Sequence, residues 1–98
     1  MPKESIHEEF EHFIEIGRLM PKQTPDKMLI AYGFYKQALE GDCIDDRPKE
    51  NSTVVETFMH DSWKRLKGMQ REVAMEKYIS YIKELLVAEK LTIASFPK

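Results

Sequence analysis

Hydrophobic residues recur at helical spacing in four stretches of the chain, and polar or irregular segments separate these stretches. No stretch shows the strict alternation of apolar and polar residues that is typical of a half-buried strand. No internal repeat or low-complexity tract interrupts the pattern. The sequence therefore predicts an all-α protein built from four helices.

The first helix is predicted to begin after Ser5, whose hydroxyl can accept a hydrogen bond from a free backbone N–H group. Acidic residues follow at once, where they suit the positive end of the helix dipole. Pro21 is expected to end this helix near Leu19. The apolar positions spaced three and four residues apart form its predicted buried face, namely Ile6, Phe10, Phe13, Gly17 and Met20.

The second helix is predicted to begin with Thr24 as N-cap and Pro25 as first residue, and to end at Gly41. Its stretch 28–40 is unusually apolar. On a helical wheel the hydrophobic side chains fill an arc of roughly 200°, about twice the width of a stripe that faces a core. They are Met28, Ile30, Ala31, Tyr32, Phe34, Tyr35, Ala38 and Leu39.

Tyr32 and Lys36 lie at one edge of this arc, four residues apart, and are therefore neighbours on one helix face. Apolar surface, a phenol and an ammonium group meet at this border. Two interpretations follow from the residues alone. Either the border holds a molecule with an apolar part and an anionic part, or it belongs to a packed helix whose lysine extends to solvent.

An irregular connection is predicted for residues 42–52, which contain charged residues, proline and asparagine without periodicity. At about eleven residues, it is longer than most links between helices. Such a segment is either functional or a solvated crossover between helices that are not adjacent.

The third helix is predicted to begin with a capping box of Thr53 and Glu56 and to end at Gly68. Trp63 lies on its apolar side and is expected to anchor the core. The full apolar stripe comprises Val54, Val55, Phe58, Met59, Ser62, Trp63 and Leu66.

The fourth helix is predicted over about residues 70–90, without a strong cap residue. A single domain is expected over 1–98, with a core in about 6–89 and a tail at 91–98 whose docking the sequence leaves open. The buried stripe predicted for this helix consists of Ala74, Met75, Tyr78, Ile79, Ile82, Leu85 and Leu86.

Composition and charge restrict the functional classes. Fifteen Lys and Arg residues against seventeen Asp and Glu residues give a net charge of -2, which argues against a nucleic-acid binder. No apolar run approaches the roughly 18 residues of a membrane span, and no secretory signal is recognisable. We therefore expect a cytoplasmic protein without stable membrane insertion, which must meet any anionic ligand with locally placed lysines.

Candidate catalytic chemistry is scarce. His7 and His12 are five residues apart, which turns one by about 140° from the other, so they do not form the metal pair that needs a spacing of four. The single cysteine, Cys43, is expected to be a small apolar group or an unreactive loop thiol. No glycine-rich phosphate loop or nucleophile elbow is present. We expect no catalytic residues, no metal and no cofactor.

Several strings resemble the acyl-CoA-binding protein family and keep its order, with one extra residue in the long loop. They are Met28-Leu29, 32–38 (YGFYKQA), Gly41-Asp42, Arg47-Pro48, 61–63 (DSW), 66–68 (LKG), Ala74-Met75 and Tyr78-Ile79. The resemblance covers about residues 6–89. It implies an up-down-down-up four-helix bundle that holds one long-chain acyl-CoA noncovalently.

The resemblance also implies a set of binding residues. Met28 and Leu29 match neighbours of the acyl chain. The positions that match the nucleotide end or its segment are Tyr32, Gly33, Phe34, Tyr35, Lys36 and Tyr78. The implied function is intracellular transport or buffering of long-chain acyl-CoA esters by a monomer, with enzymes that use acyl-CoA as possible partners.

Three positions depart from the family pattern, which often has basic residues where this chain has Gly17, Val55 and Met59. A basic residue at the position of Met59 helps the family hold the ribose 3′-phosphate. Each lost charge-assisted hydrogen bond is expected to cost about 1.5 to 3 kcal/mol. The sequence therefore leaves open a helical interaction module with weakened or lost CoA binding. Compensation would have to come from Arg18, Lys22, Lys64 or a protonated His60.

Overall fold

A computed structural model describes residues 5–44 and 50–96 of the protein. These residues form four α-helices and one short 3-10 turn, and they contain no strand. The predicted all-α, four-helix class is confirmed. The elements are α1 (Ile6–Leu19), α2 (Pro25–Glu40), α3 (Val54–Lys64), α4 (Arg71–Ala88) and the 3-10 turn (Ile93–Ser95).

Helices α1 and α4 run side by side in the same direction. Near their starts, His7 Nε2 and Glu72 Oε2 are 3.4 Å apart. Further along, Gly17 lies against Tyr78 and Ile82. Contacts that advance together along both helices define a parallel pair.

Helix α2 runs antiparallel to α4. The Nε atom of Arg71, at the start of α4, donates a hydrogen bond of 2.9 Å to the carbonyl oxygen of Ala38, near the end of α2. The rings of Phe34 and Tyr81 pack edge to face, with centroids 6.4 Å apart. The contact therefore moves backwards along α2 as it moves forwards along α4.

Helix α3 lies beside α2 and runs in the same direction. Met28 and Val55, near the helix starts, line one cavity. Near the helix ends, Lys36 Nζ lies 4.7 Å from the ring centroid of Trp63. Together with the two pairings described above, this orientation gives the predicted up-down-down-up order.

The core is shared by α1, α2 and α4. Every residue of the stripe predicted for α4 is buried, so that prediction is confirmed. On α1, the prediction placed Gly17 in the buried stripe, but the structure buries Ile16 completely and leaves Gly17 half-buried. The central cluster consists of Phe10, Phe13, Ile16, Ala38, Ala74, Met75, Tyr78, Ile79, Ile82, Leu85 and Leu86.

Helix α3 contributes no buried residue to this core. Its apolar stripe is present, but Val54 and Phe58 are 71% and 53% exposed. Trp63 was expected to anchor the core and is instead half-buried, and its Nε1 donates a 2.8 Å hydrogen bond to the Gly41 carbonyl oxygen. The exposed start of the stripe therefore forms a wall beside the core, whereas Ser62 and Leu66 toward its end pack against Gly33 of α2.

The helix ends follow the predicted capping residues. The Ser5 hydroxyl accepts a hydrogen bond from the backbone of His7 at 3.2 Å. Thr53 and Glu56 form the reciprocal capping box, and Gly41 ends α2 with φ +77°. Thr24 occupies the N-cap of α2 without a side-chain capping bond.

The end of α3 corrects one prediction. The helix stops at Lys64, and a turn continues the chain to Gly68, which adopts φ +93°. Hydrogen bonds between residues three apart, such as the backbone N–H of Leu66 to the carbonyl of Trp63, tighten this turn. Gly68 therefore ends the turn and not the helix.

The long connection after α2 is described in part. Residues 45–49, which include the Arg47-Pro48 string, lie outside the described residues. At the start of the connection, Asp42 Oδ1 accepts hydrogen bonds from the Gly68 backbone and the Gln37 side chain. These bonds hold the pKa of Asp42 below its usual value and fix the loop start against the turn after α3.

The segment after α4 packs on the bundle as far as the structure describes it. Leu91 and Phe96 are half-buried against the core. The Leu91 backbone also donates a 2.9 Å hydrogen bond to the carbonyl oxygen of Leu86. The question that the sequence left open is thus answered for residues 91–96, which dock on the bundle.

Candidate functional site

A groove of about 460 Å³ lies between α2 and α3 and reaches α1 and α4. Its volume falls within the range of roughly 300 to 1,000 Å³ that small-molecule sites occupy. Most of its lining side chains are aliphatic or aromatic. The lining residues are Gly17, Met20, Lys22, Gln23, Pro25, Met28, Leu29, Ala31, Tyr32, Tyr35, Val55, Phe58, Met59, Tyr78, Ile82 and Leu85.

The apolar walls of the groove are open to solvent. Val55 and Phe58 on α3 are 63% and 53% exposed, and Met28 on α2 faces them with 51% exposure. Concentrated apolar exposure of this kind marks a surface that another molecule covers. The wide apolar arc of α2 therefore serves two purposes, since one part packs in the core and the other lines the groove.

Tyr78 is the buried member of the three phenols that line the groove. Its ring packs edge to face on Phe10, with centroids 5.3 Å apart, and lies 6.2 Å from the ring of Tyr35. Burial, with a smaller contribution from Tyr35, raises the pKa of Tyr78 to about 12. The phenol is therefore uncharged at neutral pH and remains able to donate a hydrogen bond.

Gly17 provides the space for the hydroxyl group of Tyr78. A Cβ atom added to Gly17 would lie 2.7 Å from that hydroxyl oxygen, which is too close for an unstrained contact. A longer side chain at this position would therefore have to displace Tyr78.

Lys36 lies outside the groove lining, although Tyr32 one turn earlier lies within it. Its ammonium group pairs with the Glu40 carboxylate and lies over the Trp63 ring. The hydrogen bond with Glu40 is the main reason that the pKa of Lys36 is raised. Lys36 has to leave this carboxylate before it can meet another anion.

Gly33 and Phe34 also lie away from the groove. Gly33 is buried against α3, and a Cβ atom there would lie 2.7 Å from the carbonyl oxygen of Ser62. Phe34 points toward Tyr81 and lines a separate surface cavity with Ile30 on the other side of α2. The geometry gives both residues packing roles, and their contact with a ligand stays a prediction.

The structure brings the other predicted positions together. Met28, Leu29, Tyr32, Tyr35 and Tyr78 all line the one groove. The three positions that depart from the family pattern line it as well, namely Gly17, Val55 and Met59.

Several lining residues were missed by the sequence interpretation. Gln23 and Pro25 come from the link between α1 and α2 and from its junction with α2, where no periodic pattern marks them. Met20 and Ile82 belong to stripes that the sequence assigned to the core. Helical spacing identifies a shared face, but it does not distinguish a core position from a groove position.

The structure adds little to the candidates for reactive chemistry. Cys43 is buried, with its Sγ 3.9 and 4.0 Å from the ring nitrogens of His60. Within residues 5–44 and 50–96, no group of three or more His, Cys, Asp and Glu side chains is placed to hold a metal ion. None of the helices in these ranges has both the length and the apolar character needed to cross a membrane.

The described residues form four helices beside an open and mostly apolar groove that is large enough for a small molecule. This combination is that of a small helical binding protein. The family model described as Acyl CoA binding protein matches residues 7–82 of the chain. The chain therefore belongs to the acyl-CoA-binding protein family.

Relatives and solved structures agree with this assignment. The chain is 35% identical over 99 residues to Acyl-CoA-binding protein homolog 3 of Caenorhabditis elegans, covering 94% of this chain and 84% of that protein. It is 38% identical over 84 residues to the acyl-CoA-binding protein of Gossypium hirsutum, covering 85% and 93%. The crystal structure of Oryza sativa Acyl-CoA-Binding Protein 2 superposes with a TM-score of 0.80 at 33% identity, covering 95% of this chain and 100% of that one.

Proposed function

We propose that this protein binds one long-chain acyl-CoA noncovalently in the groove and carries or buffers the ester without changing it. The observation that carries the proposal is the pairing of open aliphatic walls with three phenols, Tyr32, Tyr35 and Tyr78, in one groove. Membership of the acyl-CoA-binding protein family supports the choice of ligand.

The acyl chain is proposed to occupy the apolar walls, next to Met28, Leu29 and Phe58. Removing a sixteen-carbon chain from water contributes about 0.8 kcal/mol per methylene, or roughly 12 kcal/mol before the costs of association. Shortening a fully covered chain by two carbons would then weaken binding by up to about 15-fold. We expect affinity to rise with chain length, and an affinity independent of chain length would contradict this placement.

The phenols are proposed to face the polar end of the ligand. Aromatic side chains provide stacking surfaces for bases, and the neutral phenol of Tyr78 retains a hydrogen to donate. Lys36 is proposed to reach the charged end only when it leaves Glu40, so its net contribution is small.

We propose a carrier and not an enzyme. The described residues that line the groove include no serine, cysteine, histidine or carboxylate, so they offer no nucleophile paired with a base. The thioester would therefore remain intact, and enzymes that use acyl-CoA would receive it unchanged. The proposal includes neither a cofactor nor a metal, and it describes a monomer that works in the cytoplasm.

Calorimetric titration with palmitoyl-CoA tests the proposal. We expect saturable binding of one ester per chain, and mass spectrometry of the ester recovered afterwards should find it intact. A titration without binding, up to millimolar ligand, would contradict the proposed function.

A helical interaction module is the second candidate function. It is favoured by the exposure of Val54, which is 71% exposed on α3 and lies outside the groove lining. In this case α3 would pack against a partner protein. Native mass spectrometry with a panel of acyl-CoA esters separates the two functions, because the absence of every adduct at micromolar ligand favours the module.

A further inference from the structure

The groove contains few positive charges. Among the described residues that line it, Lys22 is the only basic side chain. Val55 and Met59 on α3 and Gly17 on α1 complete the walls with uncharged groups. A ligand in this groove therefore meets a long apolar surface, several phenols and one ammonium group.

Two cations close in the chain to lining residues are already paired. The ammonium group of Lys36 is held by Glu40 and by the face of Trp63. Arg18, one residue after Gly17, forms hydrogen bonds of 2.7 and 2.9 Å with both carboxylate oxygens of Glu15. A phosphate can recruit either cation only after the cation leaves its carboxylate, which offsets part of the gain.

Resting on the function proposed above, we infer that this groove recognises a long-chain acyl thioester by its hydrocarbon chain and its aromatic contacts, with the ligand's phosphates contributing little. CoA carries a pyrophosphate and a ribose 3′-phosphate, and a site that gripped each group would need a cation or a set of N–H donors for each. The ligand class is therefore wider than CoA esters. It includes acyl thioesters of 3′-dephospho-CoA, which lack the ribose phosphate but keep the adenine ring.

Titrating the protein with palmitoyl-CoA and with palmitoyl-3′-dephospho-CoA tests the inference. A single charge-assisted contact with the 3′-phosphate would favour the CoA ester by about tenfold or more. We expect the two dissociation constants to differ by less than about fivefold, and a preference of about fivefold or more for the CoA ester would overturn the inference. In that case the proposed function would stand, whereas binding of neither ester would overturn both.

A charge added to the groove provides the positive control. Met59→Lys places an ammonium on the groove wall level with Tyr32, which is proposed to face the polar end of the ligand, and the position is half-buried outside the core. We expect this variant to prefer the CoA ester by about tenfold, and we expect raising the salt concentration to reduce the preference. An unchanged ratio would overturn the argument that missing wall charges set the selectivity.

Val87→Lys is the matched control variant. Val87 is 76% exposed on α4 and lies outside the groove lining. It receives the same change of charge on a helix surface, and we expect the wild-type ratio of the two dissociation constants. A preference as large as that of Met59→Lys would assign the effect to net charge and would overturn the inference.

Discussion

The hydroxyl oxygen of Tyr78 lies 2.7 Å from the point where a Cβ atom of residue 17 would be placed. The ring of Tyr78 has little freedom to withdraw, because it packs against Phe10 and Tyr35. A glycine on α1 and a phenol on α4 are therefore fitted to each other, and both line the groove.

Gly17→Ala is expected to destabilise the protein, although alanine is the better helix former. The helix preference contributes about 1 kcal/mol in favour of alanine, whereas overpacking costs about 1 to 3 kcal/mol. Urea unfolding measures the balance, and we expect a net loss in the free energy of unfolding.

Tyr78→Phe provides the control for this prediction, because it removes the hydroxyl group that the new methyl group would strike. In the Tyr78→Phe background, Gly17→Ala should stabilise the protein by up to about 1 kcal/mol. The same loss in both backgrounds would show that the hydroxyl group is not the obstacle.

The raised pKa of Tyr78 predicts a loss of stability in alkali. The folded protein holds this pKa at about 12, whereas an unfolded tyrosine titrates near 10. The folded state favours the protonated phenol, so the stabilisation is complete below pH 10 and is lost as the pH rises to 12. The loss should be about 2 to 3 kcal/mol, with roughly half of it reached at pH 11.

Urea unfolding between pH 8 and pH 11 measures this dependence, and Tyr78→Phe isolates it from the titration of lysines. We expect the variant to lose less stability than the wild type by about 1 kcal/mol at pH 11. Parallel pH profiles for the two proteins would contradict the assignment to Tyr78.

The sequence predicted the helices well because capping residues and periodicity are local properties. Ser5, the capping box at Thr53 and the Gly41 cap all lie where their chemistry required them. The predicted end of α3 was less accurate. Glycine commonly ends a helix, so Gly68 was the predicted end, but the chain enters a turn directly after Lys64.

The burial of side chains could be predicted only where a second helix packs over the apolar stripe. The stripes of α3 and α4 look equivalent in the sequence, yet Leu86 is buried and Val55 is 63% exposed. Periodicity determines which residues share a face, but only the tertiary arrangement determines whether that face is covered. The location of the Lys36 ammonium could not be predicted either, because its ion pair with Glu40 depends on side-chain conformation and not on spacing alone.

Tyr32→Ala is expected to weaken binding of palmitoyl-CoA by about 5- to 150-fold, since loss of a stacked aromatic surface costs about 1 to 3 kcal/mol. Tyr81→Ala is the matched control, because Tyr81 is a half-buried tyrosine that faces Phe34 and lies outside the groove lining. Calorimetry of both variants checks the prediction. Equal losses of affinity would remove Tyr32 from the proposed site.

Glu40→Gln is expected to strengthen binding of palmitoyl-CoA, because it releases the ammonium group of Lys36 from its carboxylate partner. A lysine free to meet a phosphate contributes about 1.5 to 3 kcal/mol at most, so affinity should rise by at most about 10- to 150-fold. Lys36→Ala alone should change affinity by less than about threefold, because the wild-type lysine is already paired.

The double variant decides whether Lys36 is responsible for this gain. If Glu40→Gln acts by releasing Lys36, then Lys36→Ala should abolish the gain when the two substitutions are combined, and the affinity should return to that of Lys36→Ala alone. Calorimetry of the four proteins gives the coupling between the two residues. A gain that persists without Lys36 would indicate that Glu40 acts by repelling the ligand directly, and the ion pair would then have no part in recognition.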